Sequence, residues 1–390
     1  MIECATLYTC EVDDKDVAFE EIICQLKKIT LKKHSVGILT CHTEFVDSGV
    51  LSYVAENIPF DVIGITTSTQ AVTGLVLEMA LSIFVITSDE ARFVIGVISG
   101  ITDNMRNCLL DTVDANAIPN GEKHNPSLVF AFSGMFDNCS GDAFLTSLTK
   151  IFPSTPIFGG FPASDALDFA GSVVCLNGQI STSMNAFILC YGNINPRFVI
   201  ATIPENKKLP YNGTITKSTE NVVYEIDGRN ALEYMSDIGF LDTTGLVIPV
   251  AKFIPFLLNQ SVRDDYDGVP VLRLISKIIP NEAVFFAGNM DAGSTFSTIS
   301  IRGYLQCAEK ELNKIANMQN VNGVLVLSCI TRQMLLYSSN PLAELELANS
   351  ILGNTPFMMG FVAGEYCPTS QRNGVYTNRF HNFSLIAVVF

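Results

Sequence analysis

The chain has 390 residues, a formal net charge of −15 and charged side chains at only 16% of its positions. Apolar residues make up 48% of the sequence, which is enough to form sizeable cores and excludes a disordered chain. Lys and Arg occur singly or in adjacent pairs, so the sequence offers no basic face for nucleic acid or an anionic membrane. No segment reaches the roughly 20 consecutive apolar residues of a membrane helix.

The cysteines indicate a reducing compartment. Eleven are present, and several lie within apolar runs that are typical of buried strands, among them Cys41, Cys175, Cys190 and Cys329. The first ten residues include Glu3 and lack the basic start and long apolar stretch of a secretion signal. We therefore expect reduced, buried cysteines in a cytoplasmic protein.

The first part of the chain predicts a unit of strand, helix, strand and hairpin. A continuous apolar run indicates a buried strand, a helical period follows it, and the next strand contains Gly64. A polar turn then leads to two further strands. The elements are expected at 35–41, 48–57, 61–66, 81–86 and 92–98.

The same order of elements recurs twice. Pro156 and Pro356 stand at equivalent places, after a helix that cannot continue past them and before the middle strand of their units. In the second unit, Asn177-Gly178 predicts a hairpin turn. The second unit is expected at 127–132, 142–152, 155–160, 171–176 and 185–191, and the third at 323–329, 342–352, 355–360 and 382–390.

Two polar segments divide these units. Residues 113–125 join the first unit to the second, and the proline-flanked segment 204–213 predicts a domain boundary. Further strands are expected at 222–226, 271–274, 283–287 and 298–301, with a helix over 305–319. The sequence therefore predicts an α/β protein of two domains, 1–203 and 214–390, in which helices flank mixed sheets.

The sequence carries few signs of catalysis. It has no phosphate-binding, dinucleotide-binding, serine-hydrolase or zinc-protease motif. Its four histidines, His34, His42, His124 and His381, lack the mutual spacing of a zinc site. We therefore expect neither an enzyme nor a metal site, and composition and spacing identify no cofactor.

Polar side chains are densest in the third unit. Cys329 and Arg332 follow one strand, Glu365 follows the next, and His381-Asn382 opens the last. If these strands pair as the repeat implies, the five residues lie at one sheet edge. Arg332 and Glu365 then either pair with each other or bind the carboxylate and ammonium groups of a ligand such as an amino acid. Cys329 and His381 are either packing residues or a nucleophilic pair for hydrolysis or acyl transfer.

The loop of the second unit is a further candidate for ligand binding. Gly159 and Gly160 precede a turn that runs to Asp165, and the N–H groups of such a turn can cradle an anion. The same glycines also suit an ordinary tight turn. Both interpretations remain open at this point.

Several of these segments resemble the FIST family. Residues 134–165, with Ser140-Gly141-Asp142 and the run Pro156–Gly160, resemble its amino-terminal region, and 223–232 resembles the start of its carboxy-terminal region. The most specific part is the ending, with Ser328-Cys329, Arg332, Glu346, Pro356-Phe357, Gly360-Phe361, Gly364-Glu365, Pro368 and His381-Asn382. The resemblance extends from Ser35 to Phe390.

This resemblance implies an intracellular sensor of small ligands, amino acids being among those suggested. FIST modules are often joined to histidine kinases, diguanylate cyclases or chemoreceptor outputs, and in eukaryotes to F-boxes. No output domain is legible here, so either a separate partner such as a histidine kinase or diguanylate cyclase is expected, or the chain has been separated from its output domain. Some members resemble haem-based nitric-oxide sensors, and in that case His381 or another histidine is the expected axial ligand.

Two departures from the family pattern indicate a different ligand choice. The loop Thr66–Ala71 lacks the usual glycine and acid, and Gly360–Glu365 replaces a tyrosine-rich version. The sequence therefore predicts a sensor that binds a small metabolite beside or between its domains and changes its binding to a partner. A scaffold that binds another protein and no metabolite is the remaining alternative.

Overall fold

The computed structural model describes residues 2–99, 107, 111, 125–134, 140–166, 169–203, 205–242, 254–259, 271–279, 282–372 and 374–390. Its helices in these ranges are α1 (Lys15–Leu26), α2 (Glu44–Asp47), α3 (Val50–Asn57), α4 (Asp142–Ile151), α5 (Ala231–Asp237), α6 (Tyr304–Ala316), α7 (Ile330–Met334) and α8 (Ala343–Leu352), with a 3₁₀ turn at Glu205–Lys207. None of the described helices has both the length and the apolar character needed to cross a membrane.

Three six-stranded sheets share one strand order. Sheet I holds β1 (Glu3–Thr9), β6 (Leu81–Ser88), β2 (His34–Cys41), β3 (Asp61–Thr66), β10 (Val174–Leu176) and β11 (Gln179–Ser181). Sheet II holds β7 (Arg92–Ser99), β12 (Met184–Tyr191), β8 (Leu128–Ser133), β9 (Ile157–Gly160), β24 (Glu365–Arg372) and β25 (Val375–His381). Sheet III holds β13 (Arg197–Ala201), β26 (Leu385–Val389), β22 (Val324–Cys329), β23 (Phe357–Val362), β4 (Gln70–Val72) and β5 (Leu75–Leu77).

The three units exchange their hairpins in a closed ring. The first unit contributes β4–β5 to sheet III, the second contributes β10–β11 to sheet I, and the third contributes β24–β25 to sheet II. In every sheet the first and middle strands of the unit are parallel, and the incoming hairpin is antiparallel to the middle strand. Each sheet is therefore completed by a neighbouring unit.

A fourth sheet is inserted in the third unit, between β13 and α6. This inserted sheet has eight strands: β18 (Val271–Arg273), β17 (Phe256–Asn259), β21 (Thr295–Ile299), β14 (Lys208–Thr219), β15 (Val222–Ile226), β20 (Ala283–Phe286), β19 (Ile275–Ile279) and β16 (Arg229–Asn230), the last of which pairs with β15. The chain then returns to sheet III through α6 and β22.

The inner faces of sheets I, II and III meet in one apolar core. Ile38 of sheet I, Phe130 and Phe158 of sheet II and Leu325 of sheet III are all fully buried in it. Helices cover the outer faces: α1 and α3 lie on sheet I, α4 on sheet II, and α6 and α8 on sheet III. Because both faces are covered, the central strands carry continuous apolar runs, such as residues 324–327 of β22.

The predicted mixed α/β fold of repeated units with helix-flanked sheets is confirmed. The partners of several strands differ from the expectation, because apolar periodicity locates a strand but does not identify its neighbour. The strand expected at 92–98 in the first unit is β7 of sheet II, and the second-unit strand expected at 171–176 contributes to sheet I. The division at 203 and 214 stays a prediction; residues 113–124 and 204 lie outside the described residues.

Candidate functional site

The five candidate residues of the third unit lie at the carboxyl end of β22. Cys329 ends that strand, and Arg332 lies in α7 directly after it. Glu365 begins β24 and faces His381 across the β24–β25 pair, with Asn382 next along the chain. We call these five residues the Glu365 cluster.

Hydrogen bonds close a ring where three crossing segments meet: Thr66-Thr67, Phe161–Ala163 and Phe361–Gly364. A carbonyl of the first accepts a bond of 2.9 Å from the end of the second, and the second and third exchange two bonds of 3.1 Å. The third donates to the Thr67 hydroxyl at 2.7 Å. The ring fixes where each exchanged hairpin leaves its unit, and it places Glu365 beside Gly160 of the second unit.

Close backbone packing accounts for the two glycines of the second unit. Gly159 has a φ of 153°, and a Cβ at this position would lie 1.9 Å from the Ala131 carbonyl oxygen. A Cβ at Gly160 would lie 2.3 Å from the carbonyl oxygen of Gly364. The next N–H group, that of Phe161, donates to the same Gly364 carbonyl at 3.1 Å. These contacts favour the tight-turn interpretation over the anion cradle.

Arg332 pairs with Glu344 and not with Glu365, which corrects one of the two roles expected for it. Its Nη2 forms a short ion pair with Glu344, and its Nε lies 3.0 Å from the same carboxylate. Burial would lower the pKa of this fully buried guanidinium, but Glu344 raises it above its ordinary value. Arg332 also donates to the Phe383 carbonyl at 3.3 Å and stacks 4.9 Å from the Tyr304 ring centre.

Glu365 is a fully buried carboxyl group, and within the described residues no arginine forms an ion pair with it. Burial raises its pKa well above the ordinary value, against the opposing effects of the Cys329 thiol, the Ser384 N–H and Arg332. Its Oε2 accepts a weak bond of 3.3 Å from the Ser384 N–H. Within the described residues no N–H or O–H group donates to Oε1, and the same holds for Oδ1 of Asn382. Two acceptor atoms are therefore buried without a conventional donor.

The pKa of Cys329 and the contacts given for it and for His381 do not favour a nucleophilic pair. Burial raises the pKa of the Cys329 thiol far above its ordinary value, with a further contribution from Glu365, so the reactive thiolate is disfavoured. Its sulfur lies 3.0 Å from the Thr331 hydroxyl. Nε2 of His381 lies 3.2 Å from the Cys367 carbonyl oxygen. The contacts favour packing or ligand-lining roles.

The same contact of His381 does not fit an axial haem ligand. His381 is only 3% exposed, and its Nε2 lies 3.2 Å from a backbone carbonyl oxygen, so this nitrogen already has a partner inside the protein. Among the described residues there is no group of three or more His, Cys, Asp or Glu side chains placed to hold a metal ion.

The side chain of Asp165 forms its ion pair outside the Glu365 cluster. It pairs with His42, the residue after β2, with 2.9 Å between Oδ2 and Nε2. About half of the Asp165 side chain is exposed. This pair joins the first and second units at the surface.

An open cleft of about 560 Å³ lies on sheet I, at the end opposite to Thr66-Thr67, and contains none of the predicted site residues. It lies where β2 and β3 begin, and it is lined by residues 31–35, 55, 56, 58–61, 93 and 177. Lys33, Glu56 and Asp61 on its rim are exposed to solvent. The cleft therefore has the character of an open surface, with charges that water already solvates.

Sequence reasoning missed two residues that support the cluster. Glu344 lies in the first turn of α8, and Asp142 starts α4, the equivalent helix of the second unit. Asp142 is buried and forms an ion pair with Arg273 of the inserted sheet at 3.2 Å. An acid at the start of the same helix in two repeats was the available signal, because carboxylates are favoured at helix N-termini.

Comparison with known protein families gives two adjacent matches. The FIST N domain matches residues 35–229, and the FIST C domain matches residues 231–368. Together the two matches span most of the chain. No curated protein matches the sequence.

Proposed function

Because the chain belongs to the FIST family, whose domains are associated with signal-transduction sensing, we propose that it binds a small ligand at the Glu365 cluster and signals to a separate partner protein. The observation that carries the proposal is the pair of buried acceptors, Oε1 of Glu365 and Oδ1 of Asn382. A buried acceptor without a donor costs about 1–3 kcal/mol. A ligand that brings donors recovers this free energy.

The chemistry of the cluster favours a ligand with an ammonium group or several N–H groups. Arg332 is engaged by Glu344 and by the Phe383 carbonyl, so we do not assign it to a ligand carboxylate. Glu365 and Asn382 supply acceptors, and the ring of Phe383 is buried nearby in the same turn. An amino acid bound through its ammonium group is one ligand of this class.

Ligand affinity should depend on pH through Glu365. Its raised pKa means that the carboxyl group is neutral in the ligand-free protein at pH values where an exposed Glu is charged. A bound ammonium group favours the charged carboxylate, so binding releases a proton. The affinity for an ammonium ligand should therefore rise with pH until Glu365 ionises in the free protein.

Thermal-shift and calorimetric titrations with methylammonium chloride and the free L-amino acids test this proposal. At least one compound should raise the melting temperature of the full chain, more strongly at higher pH. The Glu365→Gln variant should lose that response, and Glu309→Gln, which alters an exposed residue of α6, should keep it. The proposal is wrong if no compound binds, or if Glu365→Gln binds as the natural protein does.

A separate signalling protein remains the proposed receiver of the signal. A histidine kinase or a diguanylate cyclase is the class that the family membership favours. Pull-downs with and without a ligand found in the titrations should show a partner whose recovery changes with that ligand.

A further inference from the structure

The turn Phe380–Phe383 contacts both the Glu365 cluster and the inserted sheet. It contains two residues of the cluster, His381 and Asn382, and it joins β25 to β26. Neither the strand pairing of sheet II nor that of sheet III requires the inserted sheet to touch this turn.

At its start, the turn is held by Arg273 of β18. Nη1 of Arg273 donates to the Phe380 carbonyl at 2.9 Å, and the guanidinium lies 5.6 Å from the centre of the Phe380 ring. Nη2 of the same side chain binds Asp142 at the start of α4, at 3.2 Å. Arg273 is only 1% exposed. One buried side chain thus connects the inserted sheet, the turn and the second unit.

Asp142 is also held from the inserted sheet by a backbone group. Its Oδ2 accepts a bond of 2.7 Å from the N–H of Asn289, and the neighbouring Gly141 N–H donates to the Ala287 carbonyl at 2.9 Å. We call Arg273 and Asp142 the latch. It joins the inserted sheet to α4 through a charged pair and the bonds around it.

At its end, the turn is held by apolar and polar contacts to Phe383. This residue is fully buried in one apolar cluster with Leu257 and Leu272 of the inserted sheet and with Tyr304. Its backbone has a φ of +59°, a left-handed conformation that is strained for a bulky residue. Strain of this kind persists only where the surroundings hold it in place.

The cluster side of Phe383 is equally well held. Its carbonyl accepts from Arg332, and its N–H bonds to the Cys329 sulfur. The strained residue therefore lies between the Glu365 cluster and the inserted sheet, with defined contacts to each.

We infer that the inserted sheet is the lid and the readout of the Glu365 cluster, and that Arg273 and Asp142 are positioning residues that hold it closed. This inference rests on the proposed function. Glu365 and Asn382 are buried, the turn Phe380–Phe383 carries Asn382, and the inserted sheet contacts both ends of that turn, so movement of the turn is the opening that we assign to ligand entry. A ligand that binds the open arrangement better shifts the population toward it.

Thiol labelling of the full-length protein tests this coupling without any ligand. Cys329 lies under Phe383, whereas Cys41 is buried in sheet I, away from the latch. In Asp142→Asn, the rate of N-ethylmaleimide labelling at Cys329 should rise at least about tenfold, while Cys41 stays as protected as in the natural protein. Asp237→Asn, which breaks an exposed ion pair of α5, is the control and should change neither rate.

Each outcome decides the inference. Selective exposure of Cys329 supports it, and no change or equal exposure of Cys329 and Cys41 overturns it. If Asp142→Asn does not fold, Arg273→Lys, which keeps the charge but loses the forked geometry, gives the same two outcomes.

Hydrogen exchange separates this inference from the proposed function. If Cys329 opens selectively but no small molecule binds the protein, the coupling stands and the ligand proposal fails. If an ammonium ligand binds at Glu365 while exchange in Val271–Arg273 and Phe380–Phe383 is unchanged, the ligand proposal stands and the inserted sheet is not its readout.

Discussion

Two buried arginines each hold a carboxylate at the start of a helix, but they arrive there by different routes. Arg332 and Glu344 both belong to the third unit and are 12 positions apart in the chain. Arg273 comes from the inserted sheet and reaches Asp142 of the second unit, 131 positions away. Both equivalent helices thus have a cation near the carboxylate at their start. For Glu344 the cation belongs to the same unit, and for Asp142 it comes from outside the unit.

The difference indicates separate roles for the two pairs. Arg332 places two nitrogens on Glu344, and the Ser328 hydroxyl adds a bond of 2.6 Å to the same carboxylate. Arg273 gives Asp142 one nitrogen and also donates to backbone carbonyls, among them that of Phe380. The pair of Arg332 and Glu344 fixes the interior of a unit. The pair of Arg273 and Asp142 attaches the inserted sheet, which we infer to move.

The largest expected effect is that of Glu344→Gln. This change leaves the Arg332 guanidinium buried without a countercharge, which costs about 3–5 kcal/mol of unfolding free energy. Urea denaturation measures it. Glu346→Gln, an exposed neighbour on the same helix, is the matched control and should leave the unfolding midpoint unchanged. A loss below about 1 kcal/mol for Glu344→Gln would show that the pair is as weak as a surface one.

Asp142→Asn should have an intermediate effect. Arg273 keeps its bonds to backbone carbonyls, so we expect a loss of about 2 kcal/mol, typical of a charge-assisted bond. Exchange should increase mainly in Val271–Arg273 and not in His34–Cys41 of sheet I. A loss as large as that of Glu344→Gln, spread over all sheets, would contradict the distinction between the two pairs.

Glu365 sharpens the comparison because it is a buried carboxyl group to which none of the described arginines is ion-paired. Its pKa is raised in the folded protein, whereas in the unfolded chain it is near the ordinary value of about 4.3. Between these two values the folded state binds more protons, so this group lowers stability as pH rises, by at most about 1.4 kcal/mol per pH unit.

Glu365→Gln removes that titration and should flatten the pH dependence of unfolding in this range. Denaturation of both proteins at a series of pH values above 4.3 measures the difference. Parallel curves for the two proteins would mean that the carboxyl group is charged when folded.

The smallest effect is expected for Asp237→Asn. The pair of Arg229 and Asp237 is exposed, with both side chains about half open to solvent, so water screens the attraction. Thermal denaturation should show no measurable change. A clear loss would mean that burial is not what separates the strong pairs from the weak one.

Sequence patterns located most strands and helices of the repeats but did not identify their neighbours. The strand expected at 323–329 is observed at Val324–Cys329, and the helix expected at 342–352 is Ala343–Leu352. Apolar runs and prolines report burial and element ends, which are local properties. Hairpin exchange depends on which sheet edge is open in three dimensions, and no local pattern carries that information.

The same limit explains the errors at the candidate site. The sequence brought Cys329, Arg332 and Glu365 to one region correctly, because each follows a strand of one unit. It did not show that Arg332 pairs with Glu344. The sequence offers both Glu344 and Glu365 as partners for Arg332, and only the packing of the folded chain selects one of them. The left-handed backbone of Phe383 was also beyond prediction, because bulky residues rarely adopt it and its surroundings impose it.

Hairpin exchange also has a consequence for synthesis on the ribosome. The first unit makes Gln70–Val72 early, yet their partner in sheet III, Met358–Gly360, emerges nearly 300 residues later. Until then the hairpin β4–β5 has no strand edge to pair with, and its apolar residues lack their partners in the last part of the chain. We therefore expect cotranslational folding to stay incomplete until the carboxy-terminal strands are released, and the nascent chain to need protection from aggregation during that interval.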